Sequence, residues 1–444
     1  MNKKSSARQV AALALGDSRK NPVFLDDAIN RRIKQGDLDG SEAALATRLA
    51  NAVLQNGNFL DYYINHYSNT PIGKIQPQIL DILRVGAVQI LFFDKIPVHA
   101  AVDEAVKMTK SRHHKASGLV NAILRRLAEH KENLPEIQAE DRQAYLEIKY
   151  SHPRWFIERM EGLLGQVETE ALLQANNSQP PIHAQVNGVK TKQEALVKSL
   201  EAQGISAVAH PYLDDCLLLE KAGDLRKLEA FTKGEFYVQD PAARFAVMAL
   251  GPKPGQRILD CCAAPGGKSF ACGIQMGNQG EILASDISGG KIRHITAGAQ
   301  RLGLDIIRAE MQDAKSLNPE EIGSFDGVLV DAPCSGLGII RKKPEIRHKT
   351  AQGVKDLPEI QLEILKSAAA CVRPGGVLVY STCTVLPEEN TGVIEAFLKE
   401  RAEFCREAFV LPGEIGVVPC GEINLYPHRH ATDGFFIAKL RRAE

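Results

Sequence analysis

The sequence predicts a multidomain α and α/β protein: an all-helical bundle, then a small α+β module, then a doubly wound domain with a largely parallel sheet. Three observations predict it. Apolar residues recur at helical spacing to about residue 135, the pattern breaks into shorter elements between about 140 and 235, and beyond Phe236 short β-branched runs alternate with helical segments. With 444 residues the chain can build two or three separate cores. We place the boundaries at 1–138, 139–235 and 236–444.

In the first region Val10 to Leu15 is an apolar run of six residues after the basic start Met1-Asn2-Lys3-Lys4. It imitates a secretory leader but ends at Gly16-Asp17, so it reads as a core helix. Ile79, Leu83, Val85 and Ile90 fall near one helical face, Pro97 suits a first helical turn, and Leu119, Ile123, Leu124 and Leu127 repeat at three and four. The middle region carries a helix from Trp155 to Leu164, a strand Ala184-Gln185-Val186-Asn187, a helix from Lys192 to Ala202 and a strand from Cys216 to Leu219. It lacks the stacking aromatics of an RNA-binding sheet. In the third region helices are expected at Lys268–Met276, Gly290–Leu302, Glu359–Val372 and Glu388–Arg401, between strands.

The strand ends carry the chemistry. Gly327-Val328-Leu329-Val330 precedes Asp331-Ala332-Pro333-Cys334-Ser335-Gly336, and Gly376-Val377-Leu378-Val379-Tyr380 precedes Ser381-Thr382-Cys383-Thr384. Both cysteines therefore lie just past the carboxyl ends of strands, where open α/β sheets bind ligands. Arg257-Ile258-Leu259-Asp260 leads into Cys261-Cys262-Ala263-Ala264-Pro265-Gly266-Gly267, a loop of small residues ahead of a helix that starts near Lys268. This is neither a dinucleotide fingerprint nor a P-loop, and Pro265-Gly266-Gly267 taken alone reads as a tight turn. Asp286, Asp313 and Asp331 then recur at strand ends, with Asp286 where a doubly wound fold places its ribose-binding carboxylate. A small-residue loop and a ribose-binding acid indicate an adenosine-bearing cofactor.

Leu259 to Ser269, Asp331 to Gly336, Thr382-Cys383 and Leu386-Pro387-Glu388-Glu389-Asn390 resemble the motif series of the RNA cytosine-C5 methyltransferases. Ile82 to Ala87, Phe92 to Val106 and Gly118 to Arg126 resemble a NusB-like helical RNA-binding domain. That pairing is the arrangement of the Sun/Fmu (RsmB) family, which methylates a cytosine of 16S ribosomal RNA. The resemblance implies a NusB-like bundle, an RRM-like module and a Rossmann-like class I methyltransferase domain. It implies S-adenosyl-L-methionine as cofactor, cradled by Cys262, Ala263, Ala264, Pro265, Gly266, Gly267 and Lys268, with Asp286 on the ribose, Asp313 near the adenine and Asp331 adjoining. It also implies Cys383 as nucleophile, Cys334 as the thiol that assists release, and Asp331 as the contact to the base. Asp433-Gly434-Phe435-Phe436 matches a family motif, but we read it as a terminal core strand.

Formal net charge is zero, so a nucleic-acid surface must come from local patches. Two exist: Lys107 to Lys115 followed by Arg125 and Arg126, and Arg341 to Lys349 directly beyond the Cys334 motif. We expect Arg125, Arg126, Arg341 and Lys342 to contact RNA. Nine cysteines without C-x-x-C pairs make neither a disulfide nor a zinc framework, and His428 and His430 lack further ligands, so reduced thiols and no metal are expected. No apolar stretch reaches the roughly 18 residues of a membrane span. A monomeric cytoplasmic enzyme is expected, with 16S ribosomal RNA as partner and no membrane. The competing reading is an RNA-binding assembly or antitermination factor with an inactive methyltransferase fold, against which the intact Cys334, Cys383 and Asp331 stand. A nicotinamide-dependent dehydrogenase would leave the two thiols unexplained.

Overall fold

Helix Pro77–Phe92 buries residues on every side, from Ile79 and Leu83 to Gly86 and Ile90, so it can only be an interior element. In the computed structural model, which describes residues 5–20, 25–220 and 222–444, five helices surround it: Ala7–Lys20, Gly40–Gln55, Gly57–Tyr67, Val98–Arg112 and Ser117–Glu129. The basic start Met1 to Lys4 lies outside the described residues. Val10 to Leu15 falls within the first helix, with Val10, Ala11, Ala14 and Leu15 in the bundle core. Of the repeat read on the last helix, Ile123, Leu124 and Leu127 are buried while Leu119 packs at the edge. Helices Arg142–Tyr150, Arg154–Leu164 and Gln166–Asn176 follow.

The described residues form two compact units, the first running to Ser178 and including Ile340–Thr350, the second comprising Gln179–Ile339 and Ala351–Glu444. The returning segment of the first unit carries the basic run Arg341–Lys349, and at Arg347 the expected surface patch fails. Arg347 is buried, and its guanidinium donates to the carbonyls of Gln55 (2.8 Å), Tyr150 (2.8 Å), Ser151 (3.2 Å) and Asn176 (3.1 Å) and to Asn177 Oδ1 (2.6 Å). The planar fork of arginine suits a site of converging carbonyls, which a lysine could not fill. Trp155 Nε1 donates to Lys349 O at 3.0 Å beside it. Buried with Arg347 is His152, whose Nδ1 meets Tyr150 O at 2.8 Å and whose Nε2 meets the Asn176 amide at 3.3 Å.

The second unit begins with a four-stranded antiparallel sheet of β1 (Ile182–Val186), β2 (Ser206–Ala209), β3 (Cys216–Glu220) and β4 (Phe236–Val238), in the order β2-β3-β1-β4. Leu196 and Leu200 of helix Gln193–Ala202 share its core with Val186 and Phe236. Buried Asn187 donates to Gly234 O and Leu302 O, both at 2.8 Å, and so fastens this module to helix Gly289–Leu302 of the larger sheet domain.

That domain is built on β5 (Arg257–Asp260), β6 (Glu281–Asp286), β7 (Ile307–Met311), β8 (Phe325–Asp331), β9 (Val372–Thr382), β10 (Phe404–Arg406), a separate hairpin of β11 (Phe409–Leu411) and β12 (Gly416–Val418), β13 (Glu422–Leu425) and β14 (Phe435–Arg442). The order is β10-β14-β9-β8-β5-β6-β7, with β13 also on β14. Strands β9, β8, β5, β6 and β7 are parallel and β14, β10 and β13 antiparallel, a Rossmann-like arrangement with a mixed sheet. The chain winds from β5 through β6 to β7, then crosses to β8 and β9 on the other side of β5. Crossovers diverge there, so the carboxyl ends of β5 and β8 open a crevice. No described helix is long and apolar enough to cross a membrane.

Burial and the charge of Arg347 hold the His152 imidazole well below its ordinary value of 6.5. Below about pH 6.5 the unfolded chain binds a proton that folded His152 refuses, so stability is full above that pH and falls as pH drops beneath it, by about 1.4 kcal/mol per pH unit until the folded group titrates. Urea midpoints measured at pH 7 and pH 5 should therefore differ less in His152→Gln than in the parent, and equal differences would remove His152 from the account.

Candidate active site

Parallel pairing of β8 with β9 sets Asp331 opposite Ser381, and the Ser381 hydroxyl donates to Asp331 Oδ1 at 2.9 Å. The chain leaves β8 into Pro333-Cys334 and β9 into Cys383-Thr384, so two residues or so past the paired ends the cysteines meet. Their sulfurs are 3.2 Å apart, both half-buried, at hydrogen-bonding rather than disulfide distance. The hydrogen bond to Cys383 holds the Cys334 thiol well above its ordinary range, aided by burial and the charges of Cys383, Glu389 and Asp331, so Cys334 keeps its proton at neutral pH.

Lys268, one residue into helix Gly267–Gln275, reaches across to Asp331, with Nζ 2.6 Å from Oδ2 and 5.1 Å above the Phe435 ring. The cofactor-loop lysine expected from sequence thus stands at the same carboxylate as the cysteines. Loop 261–266 ahead of it folds back on itself through Gly266 N to Ala263 O (2.6 Å), with Ala263 N bonded to Ser285 O (2.9 Å) and a cis bond between Ala264 and Pro265. Gly266 has φ of +108°, and a Cβ there would lie 2.5 Å from the Phe270 ring. The helix that follows has no side-chain cap, leaving its amino end and dipole open to a carboxylate.

Asp286 closes β6, nearly buried, where Oδ1 accepts from Ser288 N at 3.1 Å and lies 3.5 Å from Lys291 Nζ. Asp313, past the end of β7, is exposed and accepts from Lys315 N at 2.9 Å. Burial pushes the carboxyl of Asp260, at the end of β5, up to about 7, with Lys268, Asp331 and Asp286 near enough to act on it. Its Oδ2 accepts from Ser269 Oγ at 2.7 Å, and its Oδ1 has no protein partner among the described residues. Cys262 is half-buried beside the same acids, whereas Cys261 is buried in the core.

Sequence reasoning left several neighbours without a role. Glu389 is buried at 1% exposure between the two cysteine loops, with Gln361, Ser335, Thr384 and Asn390 around it, each fully enclosed. The Leu386 to Asn390 motif was the only signal for it. Gly338 and Gly434 touch backbone to backbone: Gly434 N donates to Gly338 O at 2.8 Å, and Gly338 N to Cys383 O at 2.9 Å. The Asp433 to Phe436 motif therefore supplies both a core strand and a brace for the cysteine loops. Of the expected RNA contacts, Arg125, Arg126 and Lys342 are exposed and Arg341 is half-buried, all in the first unit, with Arg126 also bonded to Tyr67 O at 3.2 Å.

Three family models match: 16S rRNA methyltransferase RsmB/F over residues 247–441, the NusB family over 5–129, and the RsmF/B-like methyltransferase ferredoxin-like domain over 152–226. The chain is 36% identical over 448 residues to the probable ribosomal RNA small subunit methyltransferase B of Bacillus subtilis (strain 168), covering 99% of each chain. To the protein of the same description from Synechocystis it is 34% identical, covering 99% of this chain and 100% of the relative. The crystal structure of PH0851 superposes with a TM-score of 0.80 at 28% identity, covering 99% of this chain and 100% of that one. A methyltransferase homologue from Pyrococcus horikoshii gives 0.59 at 28% identity over 68% of this chain and all of its own.

A Cβ added at Gly338 would sit 1.9 Å from Gly434 O, so one backbone must retreat. Mild oxidation should cross-link Cys334 to Cys383 readily in the parent, and in Gly338→Ala on the order of 100-fold more slowly, the scale of a 1 Å displacement of reacting atoms. Peptide mass spectrometry reads the linkage; equal rates would mean that the glycine contact does not hold the thiols together.

Proposed function

This chain belongs to the 16S rRNA methyltransferase RsmB/F family, and from that membership we propose that it methylates C5 of one cytosine in small-subunit ribosomal RNA through a covalent cysteine adduct at C6. The observation that carries this reading is the 3.2 Å contact of Cys334 with Cys383 beside the Lys268–Asp331 pair. Cytosine C5 is a weak nucleophile, and a thiolate adding to C6 turns the ring into an enamine whose C5 can attack an electrophilic methyl group. Two thiols and a carboxyl at one strand-end crevice are the groups that such a cycle requires.

S-adenosylmethionine supplies the methyl group as a sulfonium when bound. The residues that would hold it are the loop Cys262 to Lys268, Asp286 for the ribose hydroxyls and Asp313 near the adenine. Their fit rests on the uncapped helix start at Gly267, the small side chains that let a ligand approach the backbone, and the acceptor oxygens of Asp286 at the end of β6.

Cys383 takes the nucleophile's part and Cys334 the helper's. As Cys383 sulfur bonds to C6, charge accumulates toward N3, where the Asp331 carboxyl and the Lys268 ammonium, 2.6 Å apart, form one proton-carrying pair. After methyl transfer a base, a side chain or water, takes the C5 proton, the C5–H electron pair re-forms the C5–C6 double bond, and the C6–S electron pair returns to Cys383. Cys334, in hydrogen-bond contact with that sulfur, is placed to assist this elimination. Arg125, Arg126, Arg341 and Lys342 contribute RNA contacts in this reading, and the protein acts as a cytoplasmic monomer.

Cys383→Ala should abolish methyl transfer without trapping RNA, whereas Cys334→Ala should add to the base and release it slowly, so that a denaturation-resistant protein–RNA adduct accumulates with cofactor and substrate present. An adduct only in Cys383→Ala would reverse the two roles. An active Cys383→Ala enzyme with no adduct in either variant would end the covalent mechanism. For the cofactor, Asp286→Ala should weaken S-adenosylmethionine binding about ten-fold to over a hundred-fold, the loss of a charged hydrogen-bond partner, with RNA affinity kept. Calorimetry showing the parent's cofactor affinity would remove Asp286 from the ribose site.

A further inference from the structure

Glu389 is a buried carboxylate whose side-chain partners are all neutral. Its Oε2 accepts from Ser335 N at 2.8 Å and from Gln361 Nε2 at 2.8 Å, and its Oε1 accepts from the Thr384 hydroxyl at 3.2 Å. Ser335 directly follows Cys334, and Thr384 directly follows Cys383. Gln361 Nε2 also donates to Pro333 O at 3.0 Å, so the peptide units on both sides of Cys334 are tied to this one cluster. A short contact of 2.7 Å between Ser335 Oγ and Thr384 Oγ1 closes the ring. On the far side Tyr380 OH donates to Glu389 O at 2.7 Å, which anchors the backbone of Glu389 to β9.

A buried anion without a cation is costly, and packing alone does not require one where an amide would fit. A glutamine here could keep its oxygen toward Ser335 and Gln361 and turn its NH2 toward the Thr384 hydroxyl, which can accept while donating to Ser335. Geometry could then survive with the charge gone. What the carboxylate adds is a fixed negative charge beside two thiols.

We propose that Glu389 is the positioning residue of the two-thiol site, joining both cysteine loops through one carboxylate and deciding by its charge which of the two sulfurs carries the proton. The proposal rests on the reading that both thiols take part in the reaction. A fixed anion bonded next to Cys334 disfavours a second negative charge on that sulfur, and so adds to the contact with Cys383 and the burial that are the larger causes of the raised Cys334 thiol. Cys334 is thereby kept as the protonated partner of the pair. The Ser335 and Thr384 bonds hold the two in contact while the proton is assigned.

The test separates charge from geometry with two full-length variants. In Glu389→Gln, the pH midpoint for iodoacetamide alkylation of Cys334, read by peptide mass spectrometry, should fall by about one unit or more, the scale of removing a neighbouring like charge. The alkaline limb of its kcat profile for rRNA methylation should move down with it, while KM for S-adenosylmethionine stays as in the parent. Glu389→Ala should in addition loosen the loops and slow oxidative cross-linking of Cys334 to Cys383. Glu389→Gln with an unmoved Cys334 alkylation midpoint and an unmoved pH–rate profile overturns the proposal and leaves Glu389 a packing residue, whether or not Glu389→Ala folds. The alkylation readout needs no RNA, so it stands apart from the covalent mechanism: a shifted midpoint supports Glu389's role even if Cys383→Ala proves active, and that activity would then count against the mechanism alone.

Discussion

Pairing Asp331 with Ser381 in the β8–β9 register sets everything downstream of it, because side chains alternate between the faces of a sheet and a slip of one residue would reverse them all. In this register Asp331 turns to Ser381 and Lys268, and both cysteine loops leave the sheet at the same level. The register itself is secured from both faces. Val328, Val330, Leu378 and Tyr380 pack into one core, and Leu329, Val377 and Val379 into the other. Ordinary apolar packing thus fixes reactive atoms that lie beyond the strands.

Buried charge recurs in both units, in opposite signs and with the same solution. Arg347 in the first unit is surrounded by carbonyl and amide oxygens, and Glu389 in the second by amide and hydroxyl donors. Neither is neutralised by an ion of opposite charge among those partners. Several hydrogen bonds to one ion impose directions that a single ion pair does not, and in a low-dielectric interior each is costly to break. Such centres hold loops that have no sheet or helix of their own to define them.

Features governed by neighbouring residues could be read directly from the chain. Apolar runs ending in Asp286, Asp331 or Thr382 gave strands with their carboxyl ends at the crevice, and Pro265-Gly266-Gly267 preceded a helix as expected. The helix expected from Glu388 begins only at Thr391, because Pro387–Glu389 forms a short 3-10 turn that brings Glu389 inward. Long-range partners left no such trace. Nothing near Asn187 in sequence announces Leu302, and nothing near Glu389 announces Ser335. Arg347 misled for the same reason: a run of basic residues looks like surface when judged by its neighbours, while its burial is decided by carbonyls elsewhere in the chain.

The arginine's distance along the chain has a consequence for biosynthesis. Arg347 is 171 residues beyond Asn176, whose carbonyl it binds, and 292 beyond Gln55. At a translation rate of about 5–20 residues per second, the first 171-residue interval alone lasts roughly 10 to 35 s. Through that interval the nascent helical bundle holds a cluster of acceptors with no donor to fill it. The first unit is therefore completed by a piece of chain synthesised in the midst of the second, so its folding cannot close until much of the second has been made.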